Sequence, residues 1–312
     1  MGLRLLFFGT PAFAVPGLVA LVGSRHEVVG VVAQPDRARG RGQKVQYEAV
    51  KRAALEHRLP IWQPERLKDP ALLDELRATR PDLAVVAAYG RLLPQAQLDL
   101  PRLGFVNVHA SLLPRWRGAA PIHRAILAGD AVTGVTIMRL VLALDAGPML
   151  ARAETPIGQD ETSVELDARL ARLGAGLLVD VVDRLERGPV AEVLQDEREA
   201  TYAPKLERAE GPLDWAAPAS TIHNRIRGLQ PWPLASGVLG GRRLLLLRSA
   251  VERLEPPGEA PGTVVRADAG GLIVATKPGA VRLLELQPEG RRAMSARDFL
   301  NGTRVVRGDR FA

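Results

Sequence analysis

Three features of the sequence predict an α/β domain followed by a small β-barrel. They are a set of near-continuous apolar runs, helical patterns between several of them, and a change of texture after Thr201-Tyr202-Ala203. Val- and Leu-rich runs without polar alternation mark strands buried on both faces. Their alternation with helices implies an open, Rossmann-like, mostly parallel sheet. Leu3 to Phe8 is the first strand; Gly9-Thr10-Pro11 turns the chain, and Phe13, Val15, Leu18, Val19 and Val22 follow at helical spacing. Val28 to Ala33, Leu83 to Ala88, Phe105 to His109 and Gly134 to Arg139 supply four more strands. Ser163 to Arg187 reads as a long helix with Leu166, Leu170, Leu173, Leu177 and Leu178 on its apolar side, closing a first domain of residues 1–203.

Residues 204–312 read differently. The short apolar runs Leu244 to Leu247, Thr263 to Val265, Leu272 to Thr276 and Val281 to Leu286 are separated by Gly and Pro, and a helix at about Ala219 to Leu229 precedes them. This pattern predicts a small antiparallel OB-like β-barrel, a fold that often presents a nucleic-acid-binding face.

Composition sets bounds on function. A chain of 312 residues with 46% hydrophobic and 25% charged residues can bury two substantial cores, which excludes disorder over most of its length. No apolar run reaches the roughly 18 residues that a membrane-spanning helix needs. The N-terminus reads as a strand rather than a cleavable signal, and a cytoplasmic protein is expected. The absence of cysteine excludes disulfides, thiolate nucleophiles and cysteine-ligated metals. The net charge of +7 is uneven: from Lys205 onward 17 Lys or Arg face 11 Asp or Glu, an excess of +6. A basic module beside a nearly neutral one suits a bound polyanion, although an Arg-rich composition produces such an excess equally well.

The segment Asn107-Val108-His109-Ala110-Ser111-Leu112-Leu113-Pro114-Arg115-Trp116-Arg117-Gly118 places polar groups at the carboxyl end of a strand. Side chains alternate along strands, so Asn107 and His109 share one face. Leu144-Asp145-Ala146-Gly147 follows the fifth strand and is expected at the same edge of the sheet, with Asp145 facing His109. A lone histidine in such a place is more often a structural hydrogen-bonder; an amide and a carboxylate beside it favour a reactive site. His26, His57, His123 and His223 are scattered, offer no metal-ligand spacing and read as structural. The first strand turn, Gly9-Thr10-Pro11-Ala12, lacks the Gly-x-Gly-x-x-Gly spacing of a dinucleotide-dependent oxidoreductase.

With these residues the chain resembles the formyltransferases that use 10-formyltetrahydrofolate, whose sites combine Asn, His and Asp with a Ser-Leu-Leu-Pro loop. Phe8-Gly9-Thr10-Pro11-Ala12-Phe13-Ala14-Val15-Pro16, Gln34-Pro35-Asp36-Arg37 and Arg115-Trp116-Arg117-Gly118-Ala119-Ala120-Pro121-Ile122 are similar to the branch of that family acting on methionyl-tRNA. So are Thr201-Tyr202-Ala203-Pro204-Lys205-Leu206, Pro231-Trp232-Pro233, Leu286-Gln287-Pro288 and Ala293-Met294-Ser295-Ala296, which resemble that branch's linker, helix exit and final strands. The chain departs from the family at Val141 and Ala143, where an acidic residue and a glycine are usual, and at Val45-Gln46-Tyr47-Glu48-Ala49, which replaces a proline-containing stretch.

The resemblance implies an enzyme of translation initiation. It would move the formyl group of 10-formyltetrahydrofolate to the α-amino group of methionine on initiator methionyl-tRNA, as a monomer and without a metal. It further implies that Asn107 and His109 meet the formyl oxygen while Asp145 orients the imidazole and aids proton transfer. The folate is expected against Ser111, Leu112, Leu113 and Pro114 and along Val85, Ala88, Tyr89 and Gly90. Arg37, Arg41, Lys44 and Lys205 are the expected tRNA contacts, the first three in a basic loop that inserts at the end of the acceptor stem. Two alternatives stay open: a folate enzyme of the same fold with another acceptor, or a hydrolase, and a non-catalytic RNA-binding protein. The last fits the charge distribution but leaves Asn107, His109 and Asp145 without a task.

Overall fold

A computed structural model describes residues 2–36, 38–39, 44–45, 47–252, 258–268 and 270–312, the pairs 38–39 and 44–45 by backbone alone. The chain forms two compact units. One comprises Met1–Pro121, Thr133–Thr155 and Asp167–Ala203, the other Ile122–Val132, Pro156–Leu166 and Pro204–Ala312.

The first unit is built on β1 (Arg4–Gly9), α1 (Val15–Val22), β2 (Glu27–Val32), β3 (Ala38–Arg39), β4 (Lys44–Val45), α2 (Ala49–Glu56), β5 (Ile61–Trp62), α3 (Pro70–Ala78) and β6 (Leu83–Ala87). It continues through α4 (Gln95–Leu98), β7 (Phe105–His109), β8 (Arg117–Gly118), then, after α5 (Pro121–Ala128), through β9 (Val132–Arg139), β10 (Met149–Pro156), α6 (Ser163–Arg187) and β11 (Tyr202–Ala203). The main sheet has the order β10-β9-β7-β6-β1-β2-β5. Pairs β5/β2, β2/β1, β1/β6 and β6/β7 are parallel. The strand order reverses between β1 and β6, which opens a crevice beyond their carboxyl ends.

Local sequence accounts for these elements. Every residue of β6 and β7 is buried, as strands covered on both faces require. Pro70 opens α3, and Asp69 caps it by accepting from the Ala71 N–H. Gly174 lets α6 lie close on the sheet: a Cβ there would come within 3.0 Å of Val108 and 3.2 Å of Val135. Val108 therefore faces α6, and alternation turns Asn107 and His109 to the opposite face. Beneath them Phe8 packs edge-on against Tyr89 with centroids 5.6 Å apart, in a core that includes Leu6, Val32, Leu76 and Phe105.

One expectation is corrected. β9 runs antiparallel to β7, pairing Arg139 with Val106 and Thr136 with His109. The end of the fifth strand thus lies beside the beginning of β7, not at the edge where His109 sits. The chain must cross back three residues of strand rise, roughly 10 Å, for Asp145 to reach the histidine, and the loop from residue 140 to 148 makes that return.

In the second unit α7 (Ala219–Gly228) precedes β12 (Ala235–Leu239), β13 (Arg242–Glu252), β14 (Val264–Asp268), β15 (Gly271–Ala275), β16 (Ala280–Pro288), β17 (Met294–Ser295) and α8 (Ala296–Gly302). The sheet order is β12-β13-β16-β15-β14, all pairs antiparallel. The last residues join its two edges. Val238 and Ala312 exchange backbone hydrogen bonds beside β12, while Val264 donates to Asp309 and accepts from Gly308 beside β14. This closing segment satisfies both edges, as a barrel must. Trp215 and Phe311, 4.8 Å apart, plug the core with Leu244, Leu272, Val281 and Phe299.

Candidate active site

Asn107 and His109 leave β7 side by side, 8% and 6% exposed. The Asn107 amide makes no hydrogen bond among the described residues and, unlike the enclosed Tyr89 hydroxyl, keeps some accessible surface, which leaves it open to a ligand. His109 is pinned: its Nε2 donates to the carbonyl oxygen of Trp116 at 2.9 Å. A carbonyl cannot donate, so the hydrogen belongs to Nε2. The other ring nitrogen, Nδ1, faces Asp145 with 3.7 Å to Oδ2, beyond hydrogen-bonding distance. That oxygen accepts instead from the Gly118 N–H at 2.8 Å.

The backbone around this cluster is strained. Ala88, Trp116 and Asp145 adopt φ of +46°, +64° and +47°, the left-handed region that side chains with a Cβ seldom occupy. Such residues persist only where surroundings hold them, and they gather at functional sites. The Trp116 ring lies 4.3 Å from the Arg115 guanidinium. Gly147 closes the Asp145 turn where a Cβ would fall 1.9 Å from the Arg139 carbonyl oxygen.

The expected folate contacts divide. Val85 and Leu113 are core residues with no exposed surface, and Ser111 and Pro114 are buried. The Ser111 hydroxyl donates to the Arg115 carbonyl at 2.6 Å, so it shapes its own turn. Tyr89 is buried too, its hydroxyl without a hydrogen bond among the described residues and its carbonyl taken by Gln34. Ala88 and Gly90 present exposed surface and Leu112 is partly exposed. A cavity of about 740 Å³ opens elsewhere, lined by Leu98, Phe105, Arg139, Leu140, Val141 and Leu142 among others, along the loop that carries Asp145. None of the expected folate residues lines it.

Of the expected tRNA contacts, Arg37 and Arg41 lie outside the described residues, and Lys44 is described only by its backbone in β4, paired with β3. Lys205 is exposed. His26 accepts from the Leu3 N–H at Nδ1 and pairs through Nε2 with Asp183, which Arg25 also holds. This cluster of His26, Asp183 and Glu186 has metal-like spacing, but its lone pairs already serve hydrogen bonds and ion pairs. His223 donates from Nε2 to the Gln159 carbonyl and meets the Ser249 hydroxyl at Nδ1; burial lowers its pKa.

Motif reading missed the groups that hold the site in shape: the Trp116 carbonyl, the Gly118 N–H, Thr201 and Gln195. The Arg-Trp-Arg-Gly stretch marked the first two only as neighbours, and no pattern pointed to Gln195.

Residues 3–182 match the formyl transferase family model, and residues 205–304 match that of the formyl transferase C-terminal domain. A relative from Methylococcus capsulatus named methionyl-tRNA formyltransferase is 49% identical over 299 residues, 96% of each chain. One of the same name from Solibacter usitatus is 47% identical over 99% of this chain and 98% of its own. Among solved structures, an N-formyltransferase from Helicobacter canadensis, crystallised with folinic acid and dTDP-3-aminofucose, superposes with a TM-score of 0.69 at 14% identity over 92% of this chain and all of that one. HypX from Aquifex aeolicus in complex with tetrahydrofolic acid gives 0.66 at 17% identity over all of this chain and 51% of that one. With both domain matches in order and near-half identity along almost its whole length, the chain belongs to the formyl transferase family.

Proposed function

We propose that the chain transfers the formyl group of 10-formyltetrahydrofolate to the α-amino group of methionine on initiator methionyl-tRNA. The observation that carries this reading is the unpartnered, buried Asn107 amide beside His109 and Asp145, in a chain whose full-length relatives bear that activity in their names. Only the neutral amine attacks, and an α-amino group near pKa 7.7–8.0 needs modest help to lose its proton. Asp145 is the carboxylate placed to take that proton through a water. As the C–N bond forms, the Asn107 amide donates to the developing oxyanion. His109, whose Nε2 hydrogen is held by the Trp116 carbonyl, stands in the same site with Nδ1 toward Asp145. The bond to the folate nitrogen then breaks, and that nitrogen receives a proton as tetrahydrofolate leaves.

The cavity along the 140–148 loop has the volume and the mostly apolar walls that a pteridine ring needs. The donor ring enters there, while the Ala88–Gly90 turn and the Ser111–Pro114 loop, which do not line that cavity, meet other parts of the folate. The basic second domain, residues 204–312, and the Arg37–Lys44 loop hold the tRNA through its phosphates, with Lys205 as one contact. The test is a formylation assay with methionyl initiator and methionyl elongator tRNA, for wild type and Asn107→Ala. Activity on the initiator alone, abolished by the substitution, is expected; a chain inert toward both tRNAs overturns the reading.

A further inference from the structure

Residues 183–204 lie between the two family-matched stretches and carry no part of the reaction above. Yet this segment touches the turns around Trp116 and Asp145 that shape the site. The Thr201 hydroxyl accepts from the Trp116 N–H at 2.9 Å, the Thr201 carbonyl accepts from the Arg117 N–H at 2.8 Å, and β11 pairs with β8. Gln195 reaches the other side: its Nε2 donates to the carbonyl oxygens of Asp145 and Gly147, each at 2.8 Å. We propose that Gln195 is a positioning residue for formyl transfer, holding the Asp145 turn so that its carboxylate stays against Gly118 and beside His109.

An amide nitrogen has two hydrogens, and both are spent on one turn. Which end of the amide is nitrogen follows from the far side, where Oε1 accepts from Arg117 Nε at 3.0 Å. Arg117 is itself fixed: it is 2% exposed and forks onto Glu197 through bonds of 2.9 and 2.7 Å. The Glu197 carboxylate raises the guanidinium's already high pKa against the opposing effect of burial. A rigid relay thus runs from Glu197 through Arg117 and Gln195 to Asp145. The turn needs such a hold, because Asp145 sits at φ +47° and the neighbouring Val141, Leu142 and Leu144 are exposed. Packing does not set the conformation of that outer half. Loss of the Gln195 bonds lets the turn relax toward ordinary backbone angles and shifts the carboxylate; a displacement of about 1 Å can lower a rate roughly 100-fold.

The inference rests on the functional reading above, and its test separates the two. Formylation kinetics are measured on the full chain for wild type, Gln195→Ala, Asp145→Ala and the double variant. Gln195→Ala is expected to lower kcat by roughly 10- to 100-fold, with KM for tRNA within about twofold. In the Asp145→Ala background the same change is expected to alter kcat by no more than about twofold, since residues acting as one unit are non-additive. Glu197→Gln, at the exposed end of the relay, keeps an acceptor for Arg117 and lowers kcat in the same sense, with Tm read beside it to separate loss of fold from loss of positioning. Hydrogen exchange across residues 140–148 reads the turn without any assay of activity, and faster exchange confined to that loop is expected in Gln195→Ala. Unchanged kcat, multiplicative losses in the double variant, or unchanged exchange overturns the proposal. A wild-type chain inert on methionyl-tRNA, with the loop still loosened by Gln195→Ala, overturns the functional reading instead.

Discussion

Asp145 Oδ2 takes its hydrogen bond from the Gly118 N–H, 2.8 Å away, and stands 3.7 Å from His109 Nδ1. The carboxylate is therefore fixed by backbone beside the imidazole, where the proposed reaction needs it. Asn in its place keeps an acceptor for Gly118 and removes only the charge. Asp145→Asn is expected to retain the wild-type Tm within about 2 °C and to lower kcat by roughly 10²- to 10⁴-fold, measured by initial rates of formylation.

The Asn107 side chain makes no hydrogen bond among the described residues, so its removal leaves no protein group unsatisfied. Asn107→Ala should leave thermal unfolding nearly unchanged while lowering kcat by roughly 10²- to 10³-fold, as loss of one oxyanion donor does. A large fall in Tm with a small fall in kcat would show that the amide serves the fold.

Gly147 is required by space. An added Cβ lies 1.9 Å from the Arg139 carbonyl oxygen, a backbone atom that cannot rotate away. Gly147→Ala is expected to destabilise by about 1–3 kcal/mol and to reduce activity by displacing the Asp145 turn. Calorimetry and kcat, measured on the same preparation, should move together.

Two carboxylates make opposite contributions to stability across pH. Burial raises Asp167 from 3.8 to about 6, so the folded state binds its proton more tightly than the unfolded one. Stability then falls as pH rises from about 4 through 6, and the full penalty, at most about 3 kcal/mol, persists at neutral pH. Asp167→Asn should raise Tm at pH 7.5 and change it little at pH 4. Glu165 is lowered from 4.5 to about 2, first by its hydrogen bond to Arg248. Its contribution is present above about pH 4.5 and lost as pH falls toward 2. Both partners are 45% exposed, so screening limits it to below about 1 kcal/mol. Glu165→Gln should shift Tm at pH 7 by only a degree or two, and less in high salt.

The cavity lined by Leu98, Phe105 and Leu140 to Leu142 lies along the Asp145 loop. A charge on its wall opposes entry of an aromatic ring without touching the acid–base groups. Leu142→Asp, at an exposed position on that wall, should raise KM for the folate donor by roughly 10-fold and leave KM for the tRNA unchanged. An unchanged folate KM places the pteridine outside this cavity.

Much of this protein was legible from local pattern. Uninterrupted apolar runs announce β1, β2 and β6 because strands covered on both faces carry no polar alternation, and α6 spans Ser163–Arg187 as its periodic leucines require. The edge strand β10 escaped notice, since only its first residues are buried and the rest alternate. Asn107 and His109 share a face for the same period-two reason, and their juxtaposition needed no tertiary information.

Tertiary structure alone decided the rest. Whether β9 runs parallel or antiparallel to β7 depends on hydrogen bonding between segments some thirty residues apart, and it sets where the Asp145 loop begins. The hold of Trp116 on His109, of Gly118 on Asp145 and of Gln195 on the turn between them runs through backbone carbonyls and amides, which every residue type possesses. Identity therefore carries no trace of those contacts; they appear only when folding brings residues 109, 116, 145 and 195 to one place.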